Sequence, residues 1–308
     1  MTSASEHLPL PAHTVVAVIG AGTIGLSWAR LFASHGHPVR IFDPRPDLAT
    51  VVAAFAAEHP DLASHITRAE SVADAVRGAG AIQESTPEKL EIKRRLLTDL
   101  AAAEPGHALI LSSSSTLPAS RMAEGLPDQV AARLLIGHPF NPPHLMPLVE
   151  VVPGDRTSPE STERALAFYR SVGREPVLLH REVAGFVGNR LQNAVLREAV
   201  HLVQTGVVSA ADLDSLVTNS LGLRWAAVGP FEGMHLGGGT AGFRGFMDHI
   251  GPSFAAIDLH DPDLSAEGLE PVRRQVEEAY GPRGSAESAE RRDRIQADIL
   301  ERRNAPPN

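Results

Sequence analysis

The chain has 308 residues, of which 43% are hydrophobic and 21% are charged, and its formal net charge is -9. This length suffices for two domains with separate cores, and the acidic balance argues against nucleic acid or an anionic membrane as a partner. The lack of cysteine excludes disulfides, thiolate zinc sites and cysteine nucleophiles. No run reaches the roughly 20 apolar residues of a membrane span. Residues 1–13 lack the basic and apolar regions of a signal peptide, so we expect a flexible tail and a cytoplasmic protein.

The first half of the chain alternates short β-branched runs with helical patterns. Strands are predicted at Val15–Ile19, Val39–Phe42, Ala81–Gln83, Leu109–Leu111, Leu134–Ile136, Leu148–Val152 and Pro176–Leu179. Helices are predicted at Ile24–His35, Leu48–Glu58, Lys89–Ala103 and Pro159–Val172. Alternating β and α units build a mostly parallel, doubly wound sheet covered by helices on both faces. We therefore expect an α/β domain over residues 14–182.

The second half is helical in pattern and has no convincing strand. A long helix is predicted at Phe186–Gly206, where apolar residues recur at helical spacing. Ser209 has the side chain of an N-cap and Asp212 follows it by three residues, so another helix is expected at Ser209–Val217. We therefore predict an all-α C-terminal domain over residues 183–308.

The motif Gly20-Ala21-Gly22-Thr23-Ile24-Gly25 lies between the first predicted strand and the first predicted helix. In that context the spacing is the fingerprint of a Rossmann dinucleotide site. Gly20 allows the tight turn, Gly22 the approach of the pyrophosphate, and Gly25 close packing of the helix on the strand. The helix N-terminus supplies free amides and a favourable dipole to the phosphates.

The second predicted strand is followed directly by Asp43. A carboxylate there accepts hydrogen bonds from the adenosine ribose and repels a 2′-phosphate, which favours NAD over NADP. Arg45 keeps NADP open, because an arginine just beyond this position accommodates the phosphate. The alternative interpretation is an ordinary glycine turn with Asp43 as a solvated residue at the strand end.

The segment from His138 to Glu150 combines an imidazole, an amide and a carboxylate in a proline-rich loop between two predicted strands. His138 is the candidate for the proton transfer that must accompany hydride transfer to a nicotinamide. Glu150 is the candidate partner of its other ring nitrogen. Asn141 is a candidate to position the nicotinamide amide or to brace the loop. Spacing alone supports the pairing weakly, since the chain holds 14 histidines and a lone histidine is more often structural.

Two other segments carry groups that are suited to holding a reacting oxygen. Ser112–Ser115 follows the strand Leu109–Leu111 at the carboxyl edge of the sheet, and Asn189 lies in the first turn of the long helix. The alternatives are a turn or N-cap cluster for the serines, and a capping or buried amide for Asn189.

A set of motifs in this order resembles the 3-hydroxyacyl-CoA dehydrogenase family over about residues 14–255. The motifs are Gly20–Gly25, Gln83–Glu88, Ser112–Ser115, His138–Asn141, Glu150 and Gly185–Arg190. The resemblance implies a Rossmann domain, an all-helical C-terminal domain that dimerises, and a His–Glu catalytic pair. It makes His138 the general base and Glu150 its orienting partner. It also places Ser115 and Asn189 at the reacting oxygen.

The resemblance further places Glu84 and Lys89 near the cofactor. Together with the glycine motif, the predicted cofactor contacts are Gly20, Gly22, Thr23, Ile24, Gly25, Asp43, Glu84, Lys89, Ser115 and Asn141.

The segment between Asp43 and Glu84 has room for one helix and a short strand, whereas the acyl-CoA enzymes carry a long helical insertion there that helps to clamp CoA. Residues 222–238 are similar to the branch that contains L-gulonate 3-dehydrogenase (lambda-crystallin) and L-carnitine 3-dehydrogenase, which oxidise free β-hydroxy acids. Arg224 is a candidate for a substrate carboxylate. Trp225 and Phe231 are candidates for a quaternary ammonium through cation–π contact; packing in the core or in a dimer interface is the alternative for all three residues.

These observations predict a homodimeric, NAD-dependent enzyme that oxidises a short 3-hydroxy acid of small-molecule size, either carnitine-like or gulonate-like. The alternative substrate is a 3-hydroxyacyl thioester on CoA or a carrier protein. A catalytically idle NAD-binding protein is a further alternative, against which the intact His138–Glu150 pair argues. A metal enzyme is disfavoured, because the chain lacks His-Glu-x-x-His spacing and cysteine.

Overall fold

The computed structural model describes residue 10 and residues 13–103 and 106–305. The predicted tail, residues 1–13, therefore lies outside the described residues except for Leu10 and His13. The chain divides into two compact units after Asn189. The first unit is built on a β-sheet and the second is helical.

The sheet of the first unit has eight strands. They are β1 Val16–Ile19, β2 Val39–Phe42, β3 Ile66–Arg68, β4 Ala81–Glu84, β5 Leu109–Ser112, β6 Leu134–Pro139, β7 Leu148–Pro153 and β8 Glu175–Leu178. Their order across the sheet is β3-β2-β1-β4-β5-β6-β7-β8, and all neighbours run parallel except β6 and β7. The predicted mostly parallel α/β sheet is confirmed. The strand order reverses direction between β1 and β4, and such sheets bind ligands in the crevice outside the carboxyl ends of those strands.

Helices cover both faces of the sheet. They are α1 Thr23–Ser34, α2 Leu48–Glu58, α3 Val72–Val76, α4 Leu90–Ala103, α5 Ala119–Met122, α6 Asp128–Ala131 and α7 Pro159–Ser171. Alternate residues of β1 enter opposite cores, with Val16 and Val18 on one face and Ala17 and Ile19 on the other. Burial of both faces explains why the strands have continuous apolar runs, as parallel strands between two helical layers do.

The helix α8, Gly188–Gln204, begins at the end of the first unit, and the described part of the second unit contains helices only. They are α9 Ala210–Thr218, α10 Leu221–Ala227, α11 Pro230–Gly237, α12 Gly242–His249, α13 Gly251–Ala255, α14 Ala266–Tyr280 and α15 Ala286–Asn304, with a 3₁₀ turn at Gly239–Ala241. The predicted N-cap of α9 is confirmed, since the Ser209 hydroxyl accepts a hydrogen bond from the Asp212 amide. Among the described residues, none of these helices combines the length and apolar character that crossing a membrane requires.

Candidate active site

His138 and Glu150 face each other across the antiparallel pair β6–β7. They are register partners, and His138 Nδ1 lies 2.7 Å from Glu150 Oε2 with both side chains buried. The predicted loop position of His138 is wrong, because β6 continues through Pro139 and the histidine belongs to the strand. Opposite residues of an antiparallel pair place their side chains on the same face within contact distance. The strand register therefore makes neighbours of two residues that are 12 positions apart.

Glu150 also holds the backbone that opens α8. Its Oε1 accepts hydrogen bonds from the amides of Val187 and Gly188 at 2.8 and 2.9 Å. Phe186 precedes them with a φ of +49°, a left-handed conformation that costs energy for a residue with a side chain. Its buried ring packs against the His138 ring with centroids 5.4 Å apart. The histidine is therefore fixed by a carboxylate on one side and an aromatic ring on another.

The charge state of Glu150 follows from these contacts. Burial by itself raises the pKa of Glu150, but the hydrogen bonds from His138 and from the two amides outweigh burial and bring the pKa below its ordinary value. An ionised carboxylate only accepts hydrogen bonds, so the proton of a neutral His138 resides on Nδ1. Its Nε2 is then an acceptor, and it has no hydrogen-bond partner among the described residues. This is the arrangement of an oriented general base.

The glycine turn after β1 has the shape that a dinucleotide requires. Gly20 has a φ of +108°, and a Cβ added to it would lie 2.5 Å from the Ser85 carbonyl oxygen. A Cβ on Gly25 would lie 1.8 Å from the Gly20 carbonyl oxygen, so glycine is needed for α1 to pack there. A Cβ on Gly22 would meet nothing within 4 Å, which leaves its backbone open to a pyrophosphate. The remaining predicted contacts of this turn lie at the start of α1 and are Thr23 and Ile24.

Asp43 lies directly after β2 and supports the glycine turn. Its Oδ2 accepts a hydrogen bond from the Ala21 amide at 2.8 Å, and its Oδ1 accepts one from the Arg45 amide at 3.0 Å. The Arg45 guanidinium binds the Asp47 carboxylate through two hydrogen bonds of 2.7 and 3.1 Å. A surface pocket of about 300 Å³ lies beside Asp43, at the carboxyl ends of β2 and β3. The arginine that would favour NADP is thus paired with a carboxylate of its own loop.

Glu88 organises the turn formed by residues 114–117 (the serine turn), which includes Ser115. Its Oε1 accepts hydrogen bonds from the amides of residues 115–117 and from two hydroxyls of the same turn, at 2.7–3.2 Å. Asn189 Nδ2 donates to the Ser115 carbonyl oxygen at 3.3 Å, and the Ser115 hydroxyl has no hydrogen-bond partner among the described residues. Because Asn189 directly follows Gly188, the serine turn and the His–Glu pair are both attached to the start of α8.

A buried ion pair lies next to this turn. Lys93 Nζ donates to both carboxylate oxygens of Glu84, at 2.8 and 2.9 Å, and each side chain is 1% exposed. Glu84 also accepts hydrogen bonds from the Thr86 amide at 2.6 Å and from the Ser112 hydroxyl. Both oxygens of Glu84 are therefore engaged inside the protein, which gives this residue a structural role. Its contact with the cofactor stays a prediction.

Glu88 and Lys93 were not identified from the sequence, although a signal for Lys93 was present. The buried positions of α4 are Lys93, Leu96, Leu97 and Leu100. These positions repeat at the spacing of one helix face. A lysine in an otherwise apolar face is rarely buried without a partner, and that mismatch points to a carboxylate nearby.

The other predicted site residues are exposed. Lys89 directly precedes α4, and Asn141 follows β6. In the second unit, Arg224 and Trp225 lie on α10 and Phe231 on α11, with Trp225 42% and Phe231 75% exposed. The described residues contain no group of three acidic or histidine side chains that would hold a metal ion.

Both units of the chain match one known family. Residues 15–183 match the NAD binding domain of 3-hydroxyacyl-CoA dehydrogenase, and residues 185–283 match its C-terminal domain. The L-carnitine dehydrogenase of Streptomyces griseus is 41% identical over 298 residues, which cover 92% of this chain and 88% of that protein. A 3-hydroxyacyl-CoA dehydrogenase of Gibberella moniliformis is 42% identical over 302 residues, which cover 92% and 93% of the two chains.

A solved structure shows the same fold. It is that of 5-formyl-3-hydroxy-2-methylpyridine 4-carboxylic acid 5-dehydrogenase, an NAD⁺-dependent dismutase, with a TM-score of 0.78 and 24% identity. The match covers 95% of this chain and 99% of that one. With both domains of the family model matched and with these relatives, the chain belongs to the 3-hydroxyacyl-CoA dehydrogenase family and is an NAD-dependent oxidoreductase.

Proposed function

We propose that this chain oxidises the 3-hydroxyl of a short free β-hydroxy acid to the 3-keto acid, with His138 as the general base. The observation that carries the proposal is the buried His138–Glu150 pair, whose 2.7 Å hydrogen bond leaves Nε2 as the accepting nitrogen. When bound, NAD supplies the acceptor for the hydride that leaves the carbon bearing the hydroxyl.

The residues of the chain divide the remaining tasks. His138 Nε2 takes the hydroxyl proton, and the Glu150 carboxylate stabilises the imidazolium that results. Asn189 Nδ2 has two N–H groups, one of which is used on the Ser115 carbonyl oxygen. The second N–H and the Ser115 hydroxyl are donors for the reacting oxygen. Glu88 keeps the serine turn in place, because its carboxylate accepts hydrogen bonds from the backbone amides of this turn.

The cofactor assignment extends to individual groups. We infer that the pyrophosphate lies over Gly22 and the start of α1, where backbone amides are open to it. The adenosine ribose then lies at Asp43, beside the pocket at the ends of β2 and β3. Since Arg45 is paired with Asp47, the loop offers no unpaired guanidinium to a 2′-phosphate. NAD is therefore the preferred cofactor over NADP.

Two observations support a free acid over a thioester. Between Asp43 and Glu84 the chain forms two helices of 11 and 5 residues, a 3₁₀ turn and β3, without a long helical insertion. The Streptomyces griseus relative is named for L-carnitine, a free β-hydroxy acid. The Gibberella moniliformis relative is as similar and is named for an acyl-CoA substrate, so sequence identity alone does not choose between them.

In the second unit, exposed side chains are available for the two ends of a carnitine-like substrate. We propose that Arg224 receives the carboxylate, because a guanidinium binds carboxylates in a bidentate manner. Trp225 or Phe231 would receive a quaternary ammonium through the face of its ring. A gulonate-like acid would use the carboxylate contact alone.

Steady-state kinetics with NAD test the proposed substrate class. The substrates are carnitine, gulonate, 3-hydroxybutyrate and 3-hydroxybutyryl-CoA; the last two form a matched pair with the same acyl chain. We expect kcat/KM to be highest for one of the free acids, and NADP in place of NAD to lower it. Turnover of the thioester alone would contradict the free-acid proposal while leaving the general base assignment intact.

We further propose a homodimer formed through the second unit. Large apolar side chains are exposed there, including Leu191, Leu196, Leu223, Phe231, Leu236, Phe254, Ile257 and Leu259. Exposed apolar area on this scale marks a protein interface. We expect sedimentation to give the mass of a dimer, and Leu196→Glu on α8 to shift it toward the monomer. Gln129→Glu, which adds the same carboxylate to the first unit, is the control; a wild-type monomer would refute the dimer. Location in the cytoplasm stays a prediction.

A further inference from the structure

Beneath the crevice between β1 and β4 lies a line of hydrogen-bonded polar side chains. The Tyr169 hydroxyl binds Gln83 Oε1 at 2.9 Å, and Gln83 Nε2 binds the Ser113 hydroxyl at 2.9 Å. Trp28 Nε1 also binds Ser113 Oγ, at 3.1 Å. The line ends at Ser85, whose Oγ lies 3.0 Å from Ser113 Oγ. Tyr169, Gln83 and Trp28 are fully buried, so the hydrogen bonds of this network are shielded from water.

The direction of each hydrogen bond in this line follows from its chemistry. The carbonyl oxygen of Leu111 lies 3.3 Å from one terminal atom of the Gln83 amide, and a carbonyl only accepts. That terminal atom is therefore the nitrogen, and its two N–H groups go to Leu111 and Ser113. The indole N–H of Trp28 is likewise a donor only. Ser113 Oγ thus accepts two hydrogen bonds, which use both of its lone pairs.

These directions determine the role of the Ser85 hydroxyl in its hydrogen bond with Ser113. With both lone pairs occupied, Ser113 must donate its own proton, and its remaining contact is Ser85 Oγ. Ser85 therefore accepts a hydrogen bond from within the protein and keeps its own O–H for another acceptor. That O–H has no partner among the described residues. Without the buried network, a serine hydroxyl would rotate freely between donor and acceptor roles.

The position of Ser85 relates this donor to the cofactor. Ser85 directly follows β4, and its amide donates to the Ile19 carbonyl oxygen at the end of β1 at 2.7 Å. Its own carbonyl oxygen lies 2.5 Å from where a Cβ on Gly20 would be. Ser85 is thus next to the first glycine of the turn, at the strand reversal where such sheets bind dinucleotides.

We propose that Ser85 donates a hydrogen bond to an oxygen of bound NAD beside the glycine turn, and that Ser113 fixes the direction of this bond. The acceptor is an oxygen of the pyrophosphate or of the second ribose, the one that carries the nicotinamide, since both offer lone pairs. Gln83, Trp28 and Tyr169 act through Ser113 and are positioning residues. The proposal rests on NAD binding and is independent of the substrate of the enzyme.

The dissociation constant of NADH, measured by fluorescence titration, tests the donor. Ser85→Ala is expected to raise it by about 3- to 10-fold, the range of a single hydrogen bond. Ser85→Thr retains the hydroxyl and is expected to restore binding. Ser34→Ala removes a hydroxyl at the far end of α1, where it donates to the Leu31 carbonyl oxygen, and is the matched control. An NADH dissociation constant that is unchanged in Ser85→Ala would overturn the proposal.

Fragments of the cofactor identify the acceptor. If the acceptor is a pyrophosphate oxygen, Ser85→Ala weakens the binding of ADP, ADP-ribose and NADH alike. If it is an oxygen of the second ribose, the binding of ADP is unaffected and that of ADP-ribose and NADH is weakened. The binding of adenosine, which holds neither a phosphate nor the second ribose, is expected to be unchanged. An equal loss with adenosine would show a general disturbance of the site and would overturn the proposal.

A double-mutant cycle tests the role of Ser113. Ser113→Ala is expected to weaken NADH binding in the wild-type background, because the Ser85 hydroxyl then loses its fixed direction. In the Ser85→Ala background the same change is expected to have no further effect on binding. Emission of Trp28, recorded with Trp225→Phe so that it is the only tryptophan, is expected to change with Ser113→Ala. Additive losses of NADH affinity would refute an action of Ser113 through Ser85.

Discussion

Replacing His138 with glutamine is expected to lower kcat for oxidation by about 10²- to 10⁴-fold, the usual contribution of a positioned general base. The NADH dissociation constant is expected to stay unchanged, because the glycine turn and Asp43 do not contact the histidine in the first unit. The measurement is steady-state turnover alongside NADH titration. His37→Gln is the matched control, since His37 is equally buried at 4% exposure and binds the Thr14 carbonyl oxygen away from the site. Unchanged turnover in His138→Gln would refute the assigned role.

Glu150→Gln provides the companion variant. An amide next to Nδ1 can donate, so Nδ1 becomes the acceptor and the proton of His138 moves to Nε2. The nitrogen that should take the substrate proton then already carries a proton. We therefore expect kcat to fall by as much as about 10⁴-fold, as it does for the corresponding amide substitution in a serine protease triad. If kcat fell much less in Glu150→Gln than in His138→Gln, the orienting role of Glu150 would be contradicted.

Acid unfolding gives Glu150→Gln a second readout. Because the pKa of Glu150 is lowered in the folded protein, its ionised form stabilises the fold above the ordinary value of 4.5, and this contribution is lost as the pH falls through the lowered pKa. The difference in unfolding free energy between wild type and Glu150→Gln is therefore expected to shrink in acid. A difference that grows in acid would contradict the direction of the pKa shift.

Lys93→Met is expected to reduce the free energy of unfolding by about 3–5 kcal/mol, the cost of removing one partner from a buried ion pair. Glu84 would keep a carboxylate that is 1% exposed and without its cation. The double variant Glu84→Gln with Lys93→Met is expected to recover part of the loss, because the amide carries no charge. Its oxygen can still accept from the Thr86 amide, and its NH2 group can donate to the Ser112 hydroxyl oxygen, which now faces a donor. The measurement is urea denaturation of the three proteins.

The control for Lys93→Met is a surface pair. Arg121 Nε lies 3.4 Å from Glu124 Oε1, and the two side chains are 61% and 56% exposed. We therefore expect Arg121→Met to reduce the free energy of unfolding by less than about 1 kcal/mol. If Lys93→Met cost as little as the surface variant, the pair beside the serine turn would contribute nothing to the fold. If the double variant were less stable than Lys93→Met, the uncompensated charge of Glu84 would not be the cause of the loss.

Much of the first unit could be predicted from short stretches of the chain. The glycine turn depends on residues within one strand, one turn and one helix, so its spacing alone predicts its conformation. The capping of α9 by Ser209 is equally local, since a side chain and an amide three residues later form it. Alternation of strands and helices then predicted the parallel sheet, because a crossover helix is the common way to join parallel strands.

The arrangement of the proposed catalytic residues could not be predicted from local pattern alone. The sequence named His138, Glu150, Ser115 and Asn189 through motifs, but it placed His138 in a loop. The register of β6 against β7 depends on how distant segments pack. So does the left-handed conformation of Phe186, which precedes the amides that donate hydrogen bonds to Glu150. Similarly, the buried charge of Lys93 is stable only because Glu84 of a neighbouring strand meets it.

By itself, the sequence determined the dinucleotide turn, the longer strands and helices of the first unit, and the residue types that the chemistry needs, because these depend on neighbours along the chain. It did not predict the short helices α3, α5 and α6. Only the tertiary structure decided which nitrogen of His138 is free, that Glu88 holds the serine turn, and that Ser85 is left with a donor. Each of these depends on which donor meets which acceptor across the sheet. Hydrogen bonds saturate, so the role of each group is decided by the partners that packing leaves to it.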